Sequence, residues 1–196
     1  MKFIAMLILV LLAAAPCRAQ EERVLIDGEI ENGGFGGPGL KATRLNGERA
    51  LLLGGRGGWI INHTFMIGGA GYGLVTNVRA NLVDPIHKNI DCGYGGLDLE
   101  YIPFSGSLLH PSFAVLIGGG GVGYRDEAGD EFNRYHRMDG FFVLEPNAAI
   151  DLNVTHFFRL SAGVSYRIIA GLSSVVSRDA DLSGPSALLT FKFGSF

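Results

Sequence analysis

Cysteine is nearly missing from this 196-residue chain: there are two, Cys17 and Cys92. Cys17 falls in a leader-like start, so one thiol is left, and one thiol cannot close an internal disulfide. The fold must hold without covalent staples, and Cys92 is expected as a small buried apolar residue. A basic excess is missing too. Sixteen Lys+Arg stand against nineteen Asp+Glu, which excludes the basic stripe that nucleic-acid binding demands. No stretch after the leader is long and apolar enough to cross a membrane as a helix, which takes about 20 residues. The best candidate, Phe113–Tyr124 "FAVLIGGGGVGY", is short and rich in glycine. Nucleotide fingerprints are missing in substance if not in spelling. Gly34-x-Gly36-x-x-Gly39 and Gly118-x-Gly120-x-x-Gly123 match the dinucleotide pattern, but that pattern works only where a strand opens into a helix. Pro38 interrupts the first, and nothing helical follows the second. No cofactor or metal site is implied. The acids Asp126, Glu127, Asp130 and Glu131 do not have the spacing of an EF-hand loop.

The start of the chain reads as an address. Lys2 precedes the apolar run Phe3–Ala15, and "PCRAQ" places Cys17 and Ala19 at the −3 and −1 positions of a cut before Gln20. Residues 1–19 are therefore expected as a cleaved signal peptide. A lipoprotein signal at Cys17 is the competing reading, and Pro16 and Ala14 fit it poorly. Residues 20–33 are expected as a short N-terminal segment and 34–196 as one domain. Without Lys2 and Arg18, 14 of the 16 basic residues remain, and the formal charge is −5.

An exported chain that is 47% hydrophobic yet has no spanning helix leaves two folds. One is a soluble β-domain; the other is a barrel in an outer membrane, since only helices and closed barrels satisfy their backbone in lipid. Period-two patterning points to strands. Phe158, Leu160, Ala162, Val164, Tyr166 and Ile168 alternate with Arg159, Ser161, Gly163, Ser165, Arg167 and Ile169. Phe142–Asn153, Ser186–Phe193 and Leu97–Tyr101 alternate in the same way. Turn signals divide the chain into eight strands near 36–45, 49–61, 64–77, 90–104, 112–125, 140–152, 155–170 and 185–193. Asn46-Gly47 marks a tight hairpin, and Pro146 predicts a bulge. Apart from that hairpin, short links alternate with long charged ones at 78–89, 126–139 and 171–184. This is the layout of a transmembrane barrel with short periplasmic turns and long external loops. The expected fold class is an all-β, closed, antiparallel up-and-down transmembrane barrel.

Aromatics cluster toward both strand ends. Trp59, Phe65, Tyr101, Phe113, Phe158 and Phe193 are expected to form one interfacial girdle. Tyr72, Tyr94, Tyr124, Phe142 and Tyr166 are expected to form the other. Thirty glycines need a use. Those at 54–58, 68–73, 93–96 and 118–121 fall at one height on the second to fifth strands. An eight-stranded barrel is just wide enough for side chains to fill, so bare backbone leaves room for long inward side chains opposite. Those side chains are expected to be a paired charge network. Arg56, Arg159, Arg167 and Lys192, with Lys41 as a further cation, face Asp98, Glu100, Glu145 and Asp151. No open pore follows.

The stretches "GGRGGWIINHTFMIGGAGYGL", "LIGGGGVGYR" and "DLSGPSALLTFKFGSF" resemble small eight-stranded outer-membrane barrels of the OmpA-like and OmpX-like class. More narrowly they resemble a family of uncharacterised Gram-negative outer-membrane β-barrel proteins. The resemblance covers the mature chain and implies fold and an outer-membrane location, with no activity. Its implied partners are outer-membrane lipids and the barrel-assembly machinery. The terminal Phe196 matches the usual assembly signal, but the apolar series Leu189, Phe191, Phe193 is one step out of phase with it. That leaves either a bulge at Gly194-Ser195 or a signal read from Phe193.

Three functions are weighed. The first is a non-enzymatic barrel presenting loops, with Arg125–Asp139 as the surface for an extracellular partner. The second is a lipid-modifying enzyme, which needs a His–Ser pair at the outer end; His87, His136, Ser173, Ser174 and Ser177 lie there, but no motif joins them. His63, His110 and His156 lie at the short-turn end. The third is a soluble periplasmic barrel with its apolar faces turned inward around a ligand.

Overall fold

The computed structural model describes residues 31–79, 88–126, 136–172 and 178–196, with backbone alone at 88, 124–126 and 136–138. Eight strands run in chain order: β1 (Asn32–Leu45), β2 (Glu48–Ile61), β3 (Phe65–Leu74), β4 (Lys88–Tyr101), β5 (Leu109–Asp126), β6 (His136–Thr155), β7 (Phe158–Ala170) and β8 (Gly184–Ser195). One short helix, α1 (Asp179–Leu182), precedes β8. Each strand pairs antiparallel with the next, and β8 pairs with β1, so the sheet closes. Closure leaves no sheet edge to be satisfied by water. β1 starts at Asn32 rather than near the expected Gly36, and β5 and β6 run past their expected ends.

Alternation decides the two surfaces. Leu53, Trp59, Ile67, Leu97, Ile117, Ile150, Val164 and Ile168 are exposed on the outside, while Arg56, Asp98, Glu145, Arg159 and Arg167 are buried within. The soluble barrel with an apolar lumen is overturned by this arrangement, because period two lets the two parities be exchanged only by moving every side chain at once.

Turn chemistry fixes the register. Asn46 and Gly47 both have positive φ, 50° and 81°, as the tight hairpin turn requires. Asn62 and His63 repeat it at φ 50° and 53°. There Thr64 N–H donates to the Ile61 carbonyl at 3.1 Å, and the Asn62 amide oxygen accepts from Glu31 N–H at 3.0 Å. The expected bulge at Pro146 is absent. The β6–β7 pairing lapses at Glu145 and Pro146 but resumes in the same register, because a missing N–H opens the ladder without adding a residue. Register shifts occur instead at Val122/Tyr124 and Asn153/Thr155.

The C-terminus also differs from one expectation. β8 pairs with β1 in a single register from Ser186 to Ser195, so Gly194-Ser195 forms no bulge. Phe193 is the last outward aromatic, and the ring of Phe196 stacks on Phe35, 6.0 Å between centroids. Phe196 turns in at the barrel mouth because its parity is the lumen parity of Lys192 and Gly194.

The glycine belt spans five strands rather than four. Gly36↔Gly57, Gly57↔Gly69, Gly71↔Gly95 and Gly95↔Gly119 are cross-strand partners running from β1 to β5. On the concave side the directions of Cβ converge. A Cβ on Gly58 would lie 2.6 Å from Gly68 Cα, and the two are partners. Gly54 meets the neighbouring backbone in the same way, its Cβ running into the Gly71 carbonyl oxygen, and that Cβ would also lie 2.7 Å from Tyr72 Cδ1. Part of the space expected for Arg and Lys is thus taken here by a tyrosine ring.

Two substitutions separate room from mere tolerance. Gly54→Val drives a side chain into the Gly71 carbonyl and the Tyr72 ring and is expected to cost about 1–3 kcal/mol or more as overpacking. Gly73→Val meets open space and is expected to stay within about 0.5 kcal/mol of the unaltered protein. Reversible urea unfolding in lipid vesicles, followed by the fluorescence of Trp59, measures both.

Candidate functional site

Among the described residues, chemistry is concentrated in the lumen, which is layered. Toward the long-loop end it is apolar. Leu52, Val78, Ile90, Leu116, Val122, Val143 and Ile169 are buried there with Cys92, and Leu182 of α1 seals the mouth. Sequence patterning anticipated ionic filling along the whole axis, but this half is a hydrocarbon core. Cys92 behaves as expected, buried among these side chains.

α1 is fixed over that core by polar contacts. Arg167 Nε donates to the Leu182 carbonyl at 2.8 Å, and Asn46 N–H donates to the Asp181 carbonyl at 2.9 Å. The Asp179 carboxylate accepts from Leu172 N–H at 3.0 Å, and Ser183 Oγ accepts from Ile169 N–H at 3.0 Å.

Below the core lies a first ionic layer. Lys41 Nζ is 2.8 Å from Glu145 Oε2, and the same carboxylate accepts from Tyr94 OH at 2.8 Å and from Ser165 Oγ at 2.6 Å. The Lys41 ammonium sits over the Tyr72 ring, 3.7 Å from its centroid. A second layer is a chain of shared partners. Arg56 Nε donates to Asp98 Oδ2 at 2.8 Å, and Arg56 Nη2 lies 3.3 Å from Glu100 Oε2. Lys192 Nζ then bridges Glu100 Oε1 at 2.7 Å and Asp151 Oδ2 at 2.6 Å. Ser112 Oγ completes the set by donating to Asp151 at 3.0 Å.

All eight residues anticipated for this network face the lumen and are buried, and Lys41 joins them. Their pairing departs from expectation in one respect. Of these nine residues five are cations and four are carboxylates, and the two arginines of β7 have no carboxylate of the described residues within ion-pair distance. Arg167 is engaged with α1 and with Thr43 Oγ1 at 3.5 Å. Arg159 lies near the other mouth, its Cζ 4.0 Å from the centroid of Phe196. The reason is geometric: β7 carries these residues toward opposite ends, beyond reach of acids gathered at mid-height.

The aromatic assignment needs a correction. Trp59, Phe65, Tyr101, Phe113, Phe158 and Phe193 ring the short-turn end on the outside. Phe65 and Tyr101 are 5.1 Å apart, Phe158 and Phe193 stack at 4.9 Å, and Trp59 Nε1–H donates to Asn32 Oδ1 at 3.0 Å. At the other end Phe142 and Tyr166 point outward. Tyr72 and Tyr94 do not: each is 6% exposed, their rings meet in the lumen at 5.9 Å, and they support the Lys41–Glu145 pair by ring contact and by hydrogen bond. They share inward parity with Asp98 and Glu100, and parity overrides position along the strand. The Tyr124 side chain lies outside the described residues.

His110, Ser112 and Asp151 come together in the lumen but not as a nucleophile relay. Ser112 donates to Asp151 rather than to the histidine, His110 Nδ1 is 3.1 Å from the Ser107 carbonyl, and all three are buried. A relay needs the hydroxyl on the imidazole and a route for substrate. The side chains of His87 and His136, the serines at 173, 174 and 177, and most of the 125–139 loop lie outside the described residues.

Lys192 is the hinge of the second layer. Lys192→Met leaves Glu100 and Asp151 buried without their shared cation, and stripping one partner from a buried pair costs about 3–5 kcal/mol. Lys192→Arg keeps the charge and is expected to recover part of that loss. Urea midpoints in the same vesicle assay give the comparison.

No protein-family model and no curated protein matches the chain. Solved structures do. Neisserial surface protein A is similar over 85% of this chain and 99% of its own, with TM-score 0.59 and 11% identity. The N-terminal β-barrel domain of Pseudomonas aeruginosa OprF is similar over 85% and 99%, with TM-score 0.52 and 13% identity. At that identity the likeness is one of fold. The chain has the architecture of the small eight-stranded outer-membrane barrels.

Proposed function

We propose that this chain is an integral protein of the bacterial outer membrane that works without catalysis, as a closed barrel holding its long loops at the cell surface. The observation that carries this reading is the Arg56–Asp98/Glu100–Lys192–Asp151 chain of ion pairs across the lumen. Such a chain fills the axis of a barrel that has little width to spare, and the apolar core under Leu182 lies across the axis a second time. The exposed outer wall of Leu, Ile, Val and aromatic side chains fits burial in hydrocarbon. Trp59 and its aromatic neighbours suit the level of the headgroups at the short-turn end, which then faces the periplasm.

The partners that follow are membrane lipids along the wall, the barrel-assembly machinery during insertion, and a macromolecule outside the cell at the 125–139 loop. Purified protein in planar bilayers is expected to give no steady conductance steps; stable, large steps would remove the closed-lumen reading. Lipid A extracted from cells overproducing the protein is expected to keep its mass profile; loss or gain of an acyl chain would make the barrel an enzyme.

A further inference from the structure

Arg159 stands outside the ion-pair layers, yet it is only 6% exposed. A buried cation without an anion calls for an explanation. Its protein contacts are modest. Nη2 donates to the Ser105 carbonyl at 3.4 Å, and the guanidinium plane rests near the Phe196 ring, 4.0 Å from its centroid. Ring contact on a face leaves the hydrogen-bonding rim of an arginine free. Asp151 is already held by Lys192 and Ser112.

The rim faces a space. Arg159 lines a cavity of about 670 Å³ at the short-turn mouth, between the 105–108 turn and the β6–β7 hairpin. Asn153 is its cross-strand partner and lines the same cavity. The Asn153 amide nitrogen donates to the carbonyls of Ser105 at 3.0 Å and Ser107 at 2.8 Å. That fixes the amide's orientation, and Oδ1 is left buried with no hydrogen-bond partner. The Ser105 carbonyl thus ties together a cation that lacks an anion and an acceptor that lacks a donor.

The free guanidinium rim describes a ligand. One guanidinium matches one carboxylate, which it can hold with two parallel hydrogen bonds. Asn153 Oδ1 is closed off from the cavity, so Asn153 shapes the wall and recognition falls to Arg159. Phosphate suits the site less well, because it brings a second negative charge to a single arginine. We propose that the short-turn mouth of the barrel binds a small organic carboxylate, held by Arg159. The binding is a property of the mouth itself. That the carboxylate comes from the periplasm rests on the orientation proposed above.

The test uses the mature protein in lipid nanodiscs and nitrogen-15 spectra of the Arg159 side chain. N-acetyl-glycyl-glycine, as a small carboxylate, is expected to shift its signal saturably. Its C-terminal amide is expected to bind about tenfold weaker or less. Arg159→Gln is expected to weaken the acid by a similar factor while keeping heat-modifiable migration on a gel, and Arg159→Lys to retain part of the affinity. Acid and amide binding alike, no effect of Arg159→Gln, or inorganic phosphate binding tighter than the acid would each overturn the assignment. If Arg159→Gln does not fold, the acid–amide comparison on the unaltered protein decides alone. None of these readouts depends on conductance or lipid chemistry.

Discussion

Closure of eight strands sets a cylinder about one side chain wide, and everything else in this molecule answers to that width. Half of every strand must look outward into hydrocarbon and half must fit within. A charge that falls on the inner parity cannot reach water sideways, so at mid-height it is held against an opposite charge from another strand, and only near the mouths do Arg159 and Arg167 rest on carbonyls instead. Lys192 answers this from β8 by meeting Glu100 of β4 and Asp151 of β6 at once. Arg56 answers it from β2 by reaching two carboxylates of β4. These contacts join strands that are not neighbours in the sheet, so they brace the barrel across its diameter where the ladder braces only its circumference.

The same width explains the glycines. Side chains as large as Tyr72, Tyr94, Lys41 and Arg56 share two adjoining layers of a narrow lumen, and something must be subtracted for them to fit. The subtraction falls on β1 to β5, where inward glycines such as Gly54 and Gly39 lie against the Tyr72 ring. Outward glycines in the same belt leave a stretch of wall with little side chain. Glycine is poor in strands by roughly 0.5–1 kcal/mol relative to alanine. A closed ladder, whose every strand has two partners, offsets that cost.

Much of this architecture was legible because barrels write their geometry in parity. The alternation of Phe158–Ile169 fixed which residues face lipid. Asn46-Gly47 fixed a turn. The inward acids and bases followed from the same count of two. What was not legible came from contacts parity does not specify. Tyr72 and Tyr94 looked like girdle residues because tyrosine suits an interface, but their parity is inward and a lysine holds them there. The apolar half of the lumen was hidden because Leu52, Leu116 and Val143 lie within stretches that are apolar on both parities. The isolation of Arg159 depends on how far along the axis each strand carries its charge, which is a matter of shear between strands and leaves no local sequence signal.

One last feature concerns shape. The β1–β2 hairpin ends in a two-residue turn at Asn46-Gly47, pinned to α1, whereas β5 and β6 extend for 18 and 20 residues. The rim is therefore a ramp, low on one flank and tall on the other. Among the described residues, the sheet itself is thus uneven in height around its axis.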